Sequence, residues 1–294
     1  MQSLLILNMR WLLLILTGFC LTGCFNRFAM SDKQIREYYK DKPVKPVYFT
    51  IQNDSVSLFC AATGADTLPP LLLIHGAPGA WYGNRSLMDD SVLQQHYHII
   101  SVDRPGYHRS TFNGKKKAVT SIDRQAVAIH EALRINRSKS TGVVLGSSYG
   151  GPIAAAIAAR YPQSFHHLVM LAPAMDPDIE KFWWFNPLGR SPFVKLFLPR
   201  YINHATDEKY AHIAELRKLM PVWDSLQLPV TVVQGGADKI VNPANLDFAR
   251  KHLAGKNADF IYIPDAGHLI RFRHETVVRN ILVKAAGGVA EEAQ

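Results

Sequence analysis

The stretch Val143-Val144-Leu145-Gly146-Ser147-Ser148-Tyr149-Gly150-Gly151 sets the reading of the chain. Three apolar residues form a short buried strand, a tight turn carries Ser148, and a helix leaves at once. Gly146, Ser148 and Gly150 fit the spacing G-x-S-x-G, in which a serine on a sharp strand-to-helix turn projects its hydroxyl above a sheet. Glycines flank the serine because a side chain at either position would collide with the neighbouring strand or helix. Ser147 lacks that spacing and is assigned no chemistry. The helix expected over Pro152 to Arg160 is rich in alanine and can lie close to the sheet. Pro152 suits a first helical turn, where its missing N–H costs nothing, and Tyr161-Pro162 ends the helix. The free N–H groups and dipole of this helix face Ser148, where an oxyanion would form.

Working outward, Leu71-Leu72-Leu73-Ile74 is a continuous apolar run, the mark of a strand buried on both faces. Ile99 to Val102, Leu168 to Leu171, Val230 to Gln234 and Phe260 to Ile263 supply further strands. Val47 to Ile51 and Val56 to Ala62 read as two strands joined by the turn signal Asn53-Asp54. Ala126, Ile129, Ala132 and Leu133 fall at helical spacing within a helix over about Ser121 to Arg134, and a last helix covers Glu275 to Ala285.

Four loops follow strands. His75-Gly76-Ala77-Pro78-Gly79 resembles the H-G-x-P-G oxyanion loop of the α/β-hydrolase superfamily. Asp103-Arg104-Pro105-Gly106-Tyr107-His108-Arg109-Ser110 resembles that family's D-x-P-G-x-G-x-S loop, with His108 where glycine is usual; a solvent-facing histidine is expected there. Gly235 to Pro243 resembles its acid loop, G-x-x-D-x-x-V-x-P, and Gly267-His268 its final G-H pair. The resemblance runs from about Val47 to Ala285. It implies the α/β-hydrolase fold: a mostly parallel sheet flanked by helices, with the site at the carboxyl ends of the strands. It also implies the chain order Ser148, Asp238, His268 as nucleophile, acid and base, with the N–H groups of Ala77 and Tyr149 holding an oxyanion. Asp176 competes with Asp238, because some members place the acid after the earlier strand. Asp265 is too near His268 along the chain to be the first choice.

The expected activity is that of a carboxylesterase-like serine hydrolase acting on a small ester-like substrate, without cofactor or metal. A serine in this position argues against relatives with an aspartate nucleophile, such as epoxide hydrolases. Aminopeptidase and carbon–carbon bond hydrolase relatives share the same loops, and a binding protein that keeps the fold without turnover is a further alternative.

From Asp176 to Leu228 the strand–helix rhythm stops. The position matches the helical cap that many members carry. Phe182, Trp183, Trp184, Phe185, Phe193 and Phe197 are interspersed with Arg190, Lys195 and Arg200. Most of these aromatics are expected to form the cap's own core and some to face the cleft, favouring an apolar acyl or alkyl group.

The N-terminus reads as a targeting signal: one positive charge in Met1 to Arg10, then an apolar stretch from Trp11 to Cys20. Leu21-Thr22-Gly23-Cys24 resembles the lipobox of bacterial lipoproteins, which implies cleavage before a lipidated Cys24. An uncleaved anchor is the alternative, although Trp11 to Phe25 is shorter than the ~20 residues of a spanning helix. Localisation on the periplasmic side or cell exterior follows, with Phe25 favouring the outer membrane. The expected organisation is residues 1–23 signal peptide, 24–46 lipidated N-terminus and a tether or short helix, 47–175 first part of the core, 176–228 cap, and 229–294 second part of the core.

Of three cysteines, only Cys60 remains in the folded part, so no internal disulfide is available. It reads as a buried small hydrophobe rather than a reactive thiol. The formal charge is +9. Its basic residues are scattered, which argues against a nucleic-acid partner and suits a domain held beside anionic head groups; a solvated basic surface with no partner is equally compatible.

Overall fold

The computed structural model describes residues 29–184 and 186–287. Residues 1–23, Cys24 and Phe185 lie outside the described residues. The described strands are β1 (Val47–Gln52), β2 (Val56–Thr63), β3 (Pro70–Ile74), β4 (His98–Val102), β5 (Thr111–Phe112), β6 (Gly142–Ser147), β7 (Phe165–Leu171), β8 (Val230–Gly235) and β9 (Ala258–Ile263). They form one sheet in the order β1-β2-β4-β3-β6-β7-β8-β9, with β5 on β2. From β4 to β9 along that order every pairing is parallel. The β2 pairings with β1, β4 and β5 are antiparallel. The β1–β2 turn forms where expected, and Asn53 Oδ1 accepts the Ser55 and Val56 N–H groups at 2.9 and 2.8 Å.

The central strands lack polar alternation because both faces are covered. Leu72, Ile74, Val144, Met170 and Val232 pack with helices α2 (Ile122–His130) and α3 (Gly150–Arg160). The intervening residues Leu71, Leu73, Val143, Leu145, Val169 and Val233 pack on the other side with Trp81 and with Leu282 of the last helix, Glu275–Ala285. Cys60 lies fully buried in the first of these clusters. Ile74 pairs with Gly146, and Gly146 with Met170. Neighbouring strands therefore end together, and the loops after β3, β6, β8 and β9 meet at one edge of the sheet.

Two features differ from the sequence expectation in physical detail. Asp32–Tyr39, within the segment read as a tether or short helix, is a helix, α1, that buries Ile35 and Tyr39. The Tyr39 ring stacks on Trp81 with centroids 6.4 Å apart, so this helix is part of the core. Among the described residues, the insertion's aromatics named in the sequence do not form a core of their own. Phe182, Trp183, Trp184, Phe193 and Phe197 are all exposed, Trp184 to 85%. The insertion consists of short turns, Pro192–Phe197 and one long helix, Arg200–Ser225, here α4. Helix α4 turns Leu216, Leu219 and Trp223 to the main core, and among the described residues no second layer encloses these aromatics.

Candidate active site

Ser148 stands between β6 and α3 with φ +55°. A non-glycine residue in the left-handed region is strained by roughly 1–2 kcal/mol, and local hydrogen bonds hold it there. The Ser148 N–H donates to Leu171 O at 2.9 Å, and its carbonyl accepts the Gly151 N–H at 2.9 Å. The flanking glycines are required sterically. A Cβ on Gly146 would run into the Gly150 carbonyl, and one on Gly150 would lie 2.6 Å from Ile74 O. Ser147 ends β6 with its side chain buried.

The loop after β3 lies directly against this turn. A Cβ on Gly76 would sit 3.0 Å from Ser148 Cβ and 3.6 Å from Ser148 Oγ, so the two backbones approach as closely as glycine allows. Ala77, Ser148 and Tyr149 line one cavity of about 170 Å³. His75 is fully buried; burial, followed by the nearby Arg104 cation, holds its pKa well below the usual histidine range. Its Nε2 accepts the Arg104 N–H at 3.1 Å, which places the proton on Nδ1 and lets that nitrogen donate to Gly76 O at 2.7 Å.

His268 and Asp238 are together. His268 Nδ1–H donates to Asp238 Oδ2 at 2.8 Å, leaving Nε2 as the basic nitrogen of that tautomer. The other carboxylate oxygen accepts the Ile240 and Val241 N–H groups at 2.8 and 3.0 Å. Burial works to raise the Asp238 pKa, but the hydrogen bond and charge of His268 and the two amides outweigh it and hold the carboxyl below its ordinary value. Asp176 is placed elsewhere: its Oδ1 accepts the Asp178 N–H at 2.8 Å, and it lines a different cavity. Asp265 is exposed.

Part of the wall of the Ser148 cavity comes from the insertion and mixes characters. Ile179 and Trp183 are apolar; Glu180, Lys209 and His212 are not. Glu180 pairs with Lys209 and faces His212 Nδ1 at 3.4 Å. The His212 ring packs against Tyr149 with centroids 4.6 Å apart.

Two observations lie beyond the sequence reading. His108 does not point to solvent. It adopts φ +41°, which explains the usual glycine, and its side chain is only 24% exposed, 3.4 Å from the buried Asp103 carboxylate. Arg104 and Glu208, both fully buried, form a two-pronged ion pair at 2.6 and 2.9 Å between the loop after β4 and helix α4. The available signal was the spacing of His204, Glu208 and His212, a polar stripe on one face of α4 that continues into Leu216, Leu219 and Trp223.

Residues 69–201 match the family model described as the alpha/beta hydrolase fold. A monoacylglycerol lipase from Bos taurus is 31% identical over 258 residues, covering 73% of this chain and 74% of that protein. Lipase 3 from Moraxella sp. (strain TA144) is 26% identical over 285 residues, covering 82% of this chain and 81% of its own length. Among solved structures, 2-hydroxy-6-oxo-6-phenylhexa-2,4-dienoate hydrolase from Rhodococcus sp. strain RHA1 superposes with a TM-score of 0.64 at 16% identity, covering 82% of this chain and 99% of that one. The chain belongs to the α/β-hydrolase family. It is an enzyme of that type, and its lipase relatives support ester hydrolysis as the general activity.

Proposed function

We propose that this enzyme is a serine hydrolase that cleaves an ester or related acyl bond through Ser148, His268 and Asp238. The observation that carries the reading is the left-handed turn that holds Ser148 in the same cavity as Ala77 and Tyr149. The Asp238–His268 hydrogen bond supports the assignment of base and acid. His268 Nε2 takes the Ser148 proton as Oγ attacks the carbonyl carbon. The charge that develops on the carbonyl oxygen is held by the N–H groups of Ala77 and Tyr149, where loss of one donor costs about 3 kcal/mol in comparable chemistry. His268 then protonates the leaving alcohol, and water activated by the same histidine hydrolyses the acyl-enzyme. Asp238 orients His268 and stabilises its charged form. Ile179, Trp183, Ile240 and Val241 in the cavity wall favour a substrate with an apolar acyl or alkyl part.

A fluorophosphonate probe tests the nucleophile, because only an activated serine reacts. Wild-type protein should be labelled and Ser148→Ala should not, with turnover of p-nitrophenyl butanoate lost by about 10⁵-fold or more. Ser147→Ala should keep most of both. Labelling that survives Ser148→Ala and disappears in Ser147→Ala would reverse the assignment.

The proposed setting is a membrane surface, with Cys24 as the lipidated first residue of the mature chain on the periplasmic side or cell exterior. Support comes from the Leu-Thr-Gly-Cys sequence alone. No described helix is long and apolar enough to cross a membrane.

A further inference from the structure

Gly76 and Ala77 share one trans peptide unit. In such a unit the carbonyl and the N–H point in opposite directions across the C–N bond. Whatever fixes the Gly76 oxygen therefore fixes the aim of the Ala77 N–H. That oxygen is held by two fully buried donors: His75 Nδ1–H at 2.7 Å and Arg104 Nη2 at 3.1 Å. The loop leaves them no slack. A Cβ on Gly79 would lie 2.5 Å from His75 Nδ1 and 2.9 Å from Gly76 O.

Arg104 is positioned in turn from the insertion. Glu208 on α4 grips its guanidinium at 2.6 and 2.9 Å. Gln125 accepts from Arg104 Nη1 at 2.7 Å and donates to Glu208 Oε1 at 3.2 Å. The Tyr107 hydroxyl donates to Glu208 Oε2 at 2.7 Å. Burial works against the Arg104 charge, and the Glu208 carboxylate more than offsets it. A buried ion pair is a poor way to gain stability alone, since apolar residues of similar volume often do as well. What an apolar pair lacks is a donor for a third group, and here the third group is the Gly76 carbonyl.

We propose that Glu208 is a positioning residue for ester cleavage: by holding Arg104 on the Gly76 carbonyl it aims the Ala77 N–H at the oxyanion, and so couples the insertion to the catalytic centre. The inference rests on the serine-hydrolase reading above.

The test compares p-nitrophenyl butanoate with its thiono counterpart, in which C=S replaces C=O and the oxyanion contacts are weakened at the outset. In the full-length protein, Glu208→Gln should lower kcat on the oxo ester by about 10- to 100-fold, a part of the ~10²–10³ seen when an oxyanion donor is removed outright. KM should change by less than about 3-fold, because the contact is made in the transition state. The oxo-to-thiono rate ratio should shrink by nearly the same factor as kcat. Tyr107→Phe removes one hydrogen bond onto Glu208 and keeps both charges; it should show the same signature at about 2- to 5-fold, and it decides the matter if Glu208→Gln does not fold. Arg217→Ala, on the same helix as Glu208, breaks an exposed ion pair to Asp178 in the segment before it and should leave the ratio unchanged.

A wild-type oxo-to-thiono ratio in Glu208→Gln, whatever its kcat, overturns the proposal. So does an equal shrinkage in Arg217→Ala, which would mean that general loosening of the insertion is responsible. Wild-type protein without Ser148-dependent turnover or fluorophosphonate labelling is a different result, because it removes the hydrolase reading itself and this inference with it.

Discussion

Gly150→Ala tests whether the turn that carries Ser148 is held by backbone contact. The added Cβ would lie 2.6 Å from Ile74 O, 2.8 Å from His75 O and 3.2 Å from His75 C. Non-bonded heavy atoms sit comfortably at about 3.5 Å or more, so two carbonyls are overlapped by most of an ångström. Neither can rotate away as a side chain could. Ile74 is the last residue of β3, paired with Gly146 of β6, and His75 is clamped on Arg104. What yields is the first turn of α3, and Ser148 and Tyr149 move with it. Overpacking of this kind costs about 1–3 kcal/mol in stability. A displacement near 1 Å costs about 10²-fold in a reaction that depends on placement. Urea unfolding should therefore show a lower midpoint, and kcat on p-nitrophenyl butanoate should fall about 100-fold with KM nearly unchanged. Gly267→Ala is the control: it precedes His268, yet its Cβ would meet nothing within 4 Å, so kcat should stay within about 3-fold of wild type. A Gly150→Ala enzyme with wild-type kcat and midpoint would refute the contact argument, as would a Gly267→Ala enzyme equally impaired.

Replacing the acid should separate the two candidate aspartates: Asp238→Asn should lower kcat by about 10⁴-fold, Asp176→Asn by no more than a few-fold, and the reverse order in steady-state assays would transfer the role to Asp176. Stability should fall in mild acid. His75, His98 and His204 are buried, and burial is the leading cause that holds each folded-state pKa below the usual value. A depressed folded pKa means that stability is intact above the unfolded value near 6.5 and drains away below it, as the unfolded chain takes up the proton first. Denaturant midpoints should therefore fall between about pH 7.5 and 5.5, and midpoints that stay level or rise over that interval would contradict it. Mass spectrometry of the native N-terminus should find an acylated Cys24, and an intact Met1 start would end the lipoprotein reading while leaving the hydrolase untouched.

The sheet was legible because its central strands are short apolar runs that need no partner to be recognised. Leu71–Ile74, Ile99–Val102 and Val230–Gln234 each lie within a strand of the structure. The turn was legible for a related reason, since Gly146 answers to local sterics: a Cβ there would meet the backbone of Gly150 and Gly151, a few residues on. Contacts at long range were not. Nothing near Arg104 says that its counter-charge is Glu208 on another element; the spacing of His204, Glu208 and His212 marks an inward face of α4 but not what that face meets. The insertion failed in the opposite sense. Phe182, Trp184, Phe193 and Phe197 have core composition, but composition does not say whether a second layer exists to cover them. His108 shows a third limit: a backbone dihedral of +41° is a property of the loop, and a histidine gives little warning of it.

Helix α4 runs 26 residues, about 39 Å of continuous rod. At one end Leu216, Leu219 and Trp223 belong to the central core; toward the other, Ala205, Lys209 and His212 are a wall of the Ser148 cavity. One element thus answers to two selections at once, and a change that suits a new substrate at the wall is transmitted along the rod to the packing at its far end. Phe193 and Phe197, 68% and 63% exposed, carry no such double duty, whereas Phe182 packs on Tyr210 of α4 and Trp183 borders the cavity. Drift among descendants of this enzyme, and laboratory grafting meant to re-target it, therefore has its open ground at Pro192–Phe197 and its closed ground along α4.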